Sequence, residues 1–435
     1  MDYRRNYVPK KHGKLGYRIV VPFLLLLLAG CLMIYTFYKP SPQEVDTSLN
    51  VCKMNHRETR SLITRLEKER SEEGTESLVF SDYGQYGETL GFYQNLYKPG
   101  TRDPFNGKTI FLNNVCSDEE STYLMGVDLD SKIPLEFLED GFYEVELLSG
   151  LTRSRLVSEE KIDDTVYTIS RNGKSKKIRI FANSALFDFE EHKILNENVL
   201  YLEVSSDDEH EKYDIAIDPS GLTLYNDGDT NYGNQYNGVV EADEMYDVAL
   251  KLKEKLEAKG LRILVLRDNE TPINVFGEDG RIAKGYEADA KYYIQLNLLY
   301  SGYKSDVGAT MIYSNFSSNR IATSIMKALN EQTSLKASNY SSGHNIDGVY
   351  RTQLVDNLDL MNIIRETGGK FTGAGINEDF KELNGFAKDI RKGMQTVVVE
   401  YGYLNDDETF ATWKNEKKAI IEATYEGILS GLGIE

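Results

Sequence analysis

From Tyr213 onward, short apolar runs alternate with longer amphipathic ones. In YDIAIDPSG, residues 213–221, the apolar side chains fall at alternate positions, Tyr213, Ile215 and Ile217, and Pro-Ser-Gly closes the run. That pattern predicts a buried strand with a loop at its carboxyl end. In EADEMYDVALKLKEKLEAK, residues 241–259, Met245, Val248, Ala249, Leu252 and Leu256 share one helical face, and Gly260 ends the helix. Strand RILVLR (262–267), a short helix near Arg281, and strands KYYIQLNLL (291–299) and GATMIY (308–313) follow. Helix IATSIMKALNEQ (321–332), strand TVVVEYG (396–402) and a helix ending near Leu432 complete the series. Strands alternating with helices predict an α/β domain over 213–435, with a mainly parallel sheet covered by helices on both faces. In such a sheet, ligands are held by the loops after the strands' carboxyl ends. The Pro219-Ser220-Gly221 loop is the first of these.

Upstream the period changes. Between 105 and 205 the runs TIFL, TYLMGV, FYEVELL, TVYTI, KKIRIFA and VLYLEV are separated by turn residues, among them the hairpin dipeptide Asn172-Gly173. A small all-β sandwich or barrel is expected there, with a spacing or binding role, and the acidic run Ser205–Glu211 reads as its linker to the α/β domain. Residues 39–104 read as a stalk. Its 48–73 stretch is charged and helix-prone, with too few apolar positions for a coiled coil.

The first forty residues differ from all of this. Ile19 to Tyr38 is a run of 20 residues without a charge, long enough to cross ~30 Å of hydrocarbon as a helix. The formal net charge of the chain is −19, yet residues 1–40 hold Arg4, Arg5, Lys10, Lys11, Lys14, Arg18 and Lys39 against Asp2 alone. The positive-inside bias then leaves 1–18 as a cytoplasmic tail, 19–38 as a single membrane span, and the acidic body outside the cell membrane. Leu28-Ala29-Gly30-Cys31 also matches a bacterial lipobox, which would make Cys31 a processed lipoprotein cysteine. The apolar residues after Cys31 complete a span and favour the uncleaved anchor. Three cysteines, Cys31, Cys52 and Cys116, are too few for a disulfide framework. Cys52 is left either as a free thiol or as a link between two copies. An acidic body argues against nucleic acid as a partner, which needs clustered Lys and Arg.

Four segments of the α/β region carry a resemblance. IAIDPSG stands where a family of bacterial cell-wall hydrolases has a strand followed by DPGHGG. GVVEADEMYDVALKLKEKLEAKGLRILVLRDNE matches its G-x-x-E helix and the strand ending in Arg-Asp. GRIAKGYEADAKYYIQLNLL matches an Arg-bearing helix and the strand carrying Ser-x-His-x-Asn, and VVVEYGYLNDDE matches the closing VLVELGFLSN segment. In this order and spacing, residues 213–435 resemble the catalytic domain of zinc-dependent N-acetylmuramoyl-L-alanine amidases.

The resemblance implies a zinc ion on three protein ligands with a carboxylate as general base, cleaving the MurNAc–L-alanine amide of peptidoglycan. Carried over residue by residue, one ligand falls on Glu241 and the general base on Glu400. The two histidine ligands fall on Gly221 and Asn297. Gly221 offers no donor, and the Asn297 amide oxygen suits hard cations better than zinc. The expectation is a degenerate amidase domain without a cofactor, binding peptidoglycan or regulating a cell-wall enzyme or envelope partner. The alternative is an active amidase with zinc in an unconventional site that recruits His344. His192 and His210 precede the domain. The paired change Gly221→His with Asn297→His is expected to restore zinc binding if the pocket is intact. Glu241 at a helix start and Glu400 at a strand end also admit plain structural roles, as a dipole partner and a buried ion pair.

Overall fold

The computed structural model describes residues 52–54, 58, 60–65, 77–94, 103–125, 132–184, 197–207, 212–225, 227–302, 308–339, 346–355, 358–368 and 391–435. The expected membrane span at 19–38, the lipobox at Cys31, and His192, His210 and His344 lie outside these residues. Among the described residues, no helix is long and apolar enough to cross a membrane.

An antiparallel sheet occupies the first part. Its strands are β1 (Ser77–Val79), β4 (Thr109–Asn114), β5 (Glu119–Leu124), β7 (Gly141–Ser149), β8 (Thr152–Ser158), β9 (Ile162–Tyr167), β10 (Ser175–Ala182) and β11 (Asn198–Asp207). The order is β5-β4-β7-β8-β11-β10-β9, with β1 alongside β8 in parallel. A second small sheet is built from β2 (Asp82–Tyr86), β3 (Thr89–Tyr93) and β6 (Ile133–Pro134). Phe80, Leu90, Phe92 and Ile133 share one core with Ile110, Val145, Ile178 and Leu200 of the larger sheet. The alternation of apolar positions in each strand supplies this core. Two readings from sequence are corrected here. Strands begin at Ser77, inside the stretch read as stalk, and β11 runs on to Asp207 through the start of the acidic run read as linker. Short strands rich in Gly and Tyr (DYGQY, TLGFY) gave too weak an alternation to be noticed.

Cys52 is bonded to Cys116 within the chain, with the Cα atoms 5.2 Å apart. This replaces both the free thiol and the intermolecular link. The disulfide ties the segment before β1 to the turn between β4 and β5, and Arg65 pairs with Asp118 of that turn at 2.7 Å. Two cysteines 64 residues apart carry no spacing signature, so only the fold could pair them.

The α/β part is a six-stranded sheet. It is formed by β12 (Ile215–Pro219), β13 (Ile263–Val265), β14 (Tyr292–Leu299), β15 (Thr310–Tyr313), β16 (Val349–Arg351) and, later, β18 (Gln395–Tyr403). The order is β13-β12-β14-β18-β15-β16, all parallel except the β15–β18 pair. Helices α1 (Glu241–Glu257), α3 (Arg320–Gln332) and α5 (Asp407–Leu432) cover one face, burying Met245, Leu252, Ile325 and Trp413. Helices α2 (Arg281–Glu287) and α4 (Asn362–Thr367) cover the other with Ile282, Ala283, Ile363 and Ile364. The near-continuous apolar runs of β12, β14 and β18 follow from this two-sided burial.

The two sheets are joined rather than merely tethered. A short strand β17 (Lys392–Gly393) of the α/β part adds in parallel to β2. Glu88, only 2% exposed, accepts hydrogen bonds from Arg171 Nη1 and Nη2, Ile169 N and Tyr292 Oη at 2.7–3.0 Å. A buried carboxylate with four donors is satisfied in place, which fixes β14 against the β-rich part.

Candidate functional site

The cleft opens at the carboxyl ends of β12 and β14. About 350 Å³ in volume, it is lined by Ser220, Gly221, Asn234, Glu241, Gln295 and Asn297, among others. Register places Asn297 of β14 directly opposite Glu400 of β18. The four positions singled out in the sequence thus converge on one end of the sheet, brought there by parallel pairing.

The loop after β12 is braced from below by two buried guanidinium groups. Arg267 Nε donates to Pro219 O at 2.8 Å, and its Nη2 to Ser220 O and Ala242 O at 2.7 Å. Arg281 Nη1 donates to Pro219 O at 2.9 Å and Gly221 O at 3.2 Å, while Nη2 reaches Thr223 Oγ1. Arg281 also pairs with the fully buried Asp218 at 3.1 Å. Every carbonyl from 219 to 221 is therefore accounted for, and the loop is held without any metal. Burial and the Arg281 charge lower the Arg267 pKa to about 10.

Glu241 sits in the first turn of α1 and is 4% exposed. Its Oε1 accepts from Ser220 Oγ at 2.5 Å and Leu298 N at 3.0 Å. Its Oε2 accepts from Asn234 N and Asn234 Nδ2, each at 2.8 Å. Asn234 O in turn accepts from Glu241 N at 2.8 Å, and Asn234 Nδ2 also reaches Leu298 O. Burial pushes the carboxyl of Glu241 up, and its hydrogen bonds oppose the shift. The four lone-pair sites of a carboxylate are all engaged. This carboxylate clamps the β12 loop, the Asn234 loop and the end of β14 together.

Gly221 has φ +78°, and a Cβ there would meet Ala242 Cβ at 2.7 Å, with Ala242 Cα and Tyr232 O at 2.8 Å. No side chain fits in this backbone conformation without moving backbone. The next residue, Leu222, is also left-handed at φ 47° and buried. Asn297 Nδ2 lies 3.5 Å from Gln295 Oε1. The Glu400 side chain makes no hydrogen bond among the described residues, while its backbone is held in the sheet between β14 and β15. Burial and the charge of Glu241 raise its pKa to about 7.

These residues do not fit a zinc ion. Glu241 has no lone pair to give, Gly221 has neither donor nor room, and Asn297 brings a neutral amide. Among the described residues there is no histidine and no group of three His, Cys, Asp or Glu side chains able to hold a metal. Chemically the cleft is a surface of amides and hydroxyls, with Gln295, Asn297, Asn234 and Ser220 on its walls. Exposed tyrosines Tyr225, Tyr232 and Tyr300 lie on or beside the loops that form its mouth. Asn234 and its partner loop were invisible in the sequence. Their only trace was a Gly/Asn/Tyr-rich stretch without periodicity, and the left-handed Gly233, where a Cβ would come within 2.6 Å of Glu241 Oε2.

Over residues 215–430 the sequence matches the N-acetylmuramoyl-L-alanine amidase family. This carboxyl-terminal region belongs to that family. No curated protein matches the chain. Among solved structures, the domain is similar to the catalytic domain of CwlV, an N-acetylmuramoyl-L-alanine amidase from Bacillus (Paenibacillus) polymyxa var. colistinus. The identity is 17%, the TM-score 0.35, and the match covers 51% of this chain and 99% of that one. The amidase AmiC2 of Nostoc punctiforme gives 16% identity, 51% and 97% coverage and a TM-score of 0.35. The CwlD amidase from Clostridioides difficile, solved in complex with the GerS lipoprotein, gives 16%, 51% and 100%, with a TM-score of 0.35. At these values the assignment rests on the family match, not on the individual structures.

Proposed function

We propose that this chain is a membrane-anchored cell-envelope protein whose amidase-family domain binds peptidoglycan without cleaving it, and so regulates a cell-wall enzyme or envelope partner. One observation carries the reading. The Glu241 carboxylate is saturated by Ser220, Asn234 and Leu298 at 2.5–3.0 Å, so the one retained family ligand serves as a structural clamp. What remains is a preformed polar cleft suited to neutral, amide-rich ligands, with tyrosine faces nearby that can stack on sugar rings. The intrachain Cys52–Cys116 disulfide supports an oxidising, extracytoplasmic setting for the body. The apolar run 19–38 supplies the anchor.

A second reading is favoured by Glu400 alone. With its pKa raised to about 7, it is poised as a general base in an active amidase, with zinc held partly by His344. Metal content and peptidoglycan digestion by the full chain separate the two. The binding reading expects sedimentation with insoluble peptidoglycan, substoichiometric zinc and no new L-alanine amino termini. Stoichiometric zinc together with such termini overturns it, and absence of sedimentation removes the peptidoglycan ligand.

A further inference from the structure

The two flanks of the cleft differ in chemistry, and strand order tells them apart. Around the cleft the sheet runs β13-β12-β14-β18. On the β13 flank, next to the cleft residues Thr223, Val275 and Arg281, the chain encloses a second hollow of about 580 Å³. Asp268, Glu278, Asp279 and Lys284 stand on its walls. A neutral sugar laid there would desolvate these charges without pairing them. The β18 flank is aromatic instead.

Tyr236 and Phe410 pack edge to face with ring centroids 5.3 Å apart, and the Tyr300 ring lies 6.2 Å from Tyr236 at an angle of 48°. Tyr236 and Phe410 are partly buried against the main core of the α/β part, whereas Tyr300 is 48% exposed. The row borders the cleft through the chain itself. Tyr300 follows Leu299, and Tyr236 stands two residues after Asn234, both of which line the cleft.

The backbone around Tyr300 is pinned on either side. Leu404 N donates to Leu299 O at 2.7 Å. Asn405 accepts from Ser301 N at 3.1 Å and donates through Nδ2 to Ser301 O at 2.7 Å. Tyr236 is held by its pairing with Val239 in a short hairpin. Phe410 sits in the first turn of α5, where Asp406 caps the helix by accepting from Thr409 N at 2.7 Å. The rings are thus set in place before any ligand arrives, which lowers the entropy lost on binding.

We propose that Tyr300, Tyr236 and Phe410 form a glycan platform, over which a β-linked N-acetylhexosamine strand lies with a pyranose ring stacked on Tyr300. A pyranose has an apolar C–H face and a hydroxyl rim, so an aromatic ring beside neutral donors and acceptors matches it. The acetamido groups of such a strand pair with neutral amides such as Asn297 by mutual N–H to C=O hydrogen bonds. The inference rests on the reading of the cleft as a peptidoglycan site, and it adds which part of that polymer is held and on which flank.

The test is titration of the full chain with chitotetraose, a soluble N-acetylglucosamine tetramer that carries no peptide, followed by calorimetry and by proton NMR of the sugar. Sedimentation with intact peptidoglycan is measured in parallel. Saturable binding is expected, with sugar C–H protons shifted upfield by the ring current of an aromatic face. Tyr300→Ala, at a half-exposed position, is expected to keep the thermal midpoint and weaken tetramer binding about tenfold, while Tyr300→Phe retains it. Sedimentation with peptidoglycan but no tetramer binding at about 10 mM overturns the platform and leaves the cleft reading standing. Failure of both removes the two together. Tetramer bound equally well by Tyr300→Ala overturns the platform, and so does its displacement by a sugar-free alanyl-glutamate peptide, which would give the row to the peptide arm.

Discussion

Ser220 Oγ donates to Glu241 Oε1 at 2.5 Å across the mouth of the cleft. One residue belongs to the loop after β12 and the other to the first turn of α1. In the amidase resemblance, these elements are joined through a metal. Here they are joined directly, and the hydroxyl occupies a lone pair that a cation would need.

Glu241→Gln is therefore expected to destabilise the chain rather than to affect metal uptake. The amide nitrogen of glutamine would face donors from Ser220 and Leu298, or the two from Asn234, leaving buried groups unpaired. A loss of about 3 kcal/mol is expected in urea unfolding. A variant as stable as the parent, or one whose zinc content falls, would count against the clamp.

The double change Gly221→His with Asn297→His is expected not to create a zinc site, because the backbone around Gly221 leaves no room for the first histidine. A Cβ at Gly221 collides with Ala242 and with the Tyr232 carbonyl, and the φ of +78° is strained for any L side chain. The expected outcome is lower stability by about 2–4 kcal/mol and no stoichiometric zinc by elemental analysis. Asn297→His alone should be tolerated, because the cleft lies open before it. Zinc bound one-to-one by a double variant of parental stability would sink this account.

Stability should fall as pH rises toward neutrality, in part through Glu366. This side chain is fully buried, Oε2 has no hydrogen-bond partner, and burial raises its pKa to about 7 despite Arg365. The unfolded chain releases the proton near pH ~4.3. Between there and about 7 the folded state holds more protons than the unfolded one, so stability is full below that window and is lost across it. Glu366→Gln mimics the protonated form and should flatten the fall in unfolding free energy between pH 5 and 8. An unchanged slope would assign it to other groups.

Removing the Cys52–Cys116 bond, by Cys52→Ser or Cys116→Ser, should cost about 4 kcal/mol if the closed loop acts mainly on the unfolded chain. Reductant should lower the parent's midpoint toward that of the variants and leave the variants unmoved. Thiol titration of the unreduced, denatured parent should leave Cys52 and Cys116 unlabelled.

What the sequence determined by itself is the architecture of the carboxyl-terminal half. The faces of α1 and α3 and the apolar runs of β12, β14 and β18 are written at helix and strand periods, because burial on one or both sides of an element leaves that mark. The resemblance to the amidases singled out Gly221, Glu241, Asn297 and Glu400, and the parallel strand register then brought Asn297 opposite Glu400. Tertiary structure decided what those residues do. The donors that saturate Glu241 come from residues 220, 234 and 298, which no periodicity links, and the room at Gly221 depends on Ala242 and Tyr232. The Cys52–Cys116 bond and the addition of β17 to β2 are likewise contacts between distant segments. Local patterning records which side of an element is buried, not which polar group waits there.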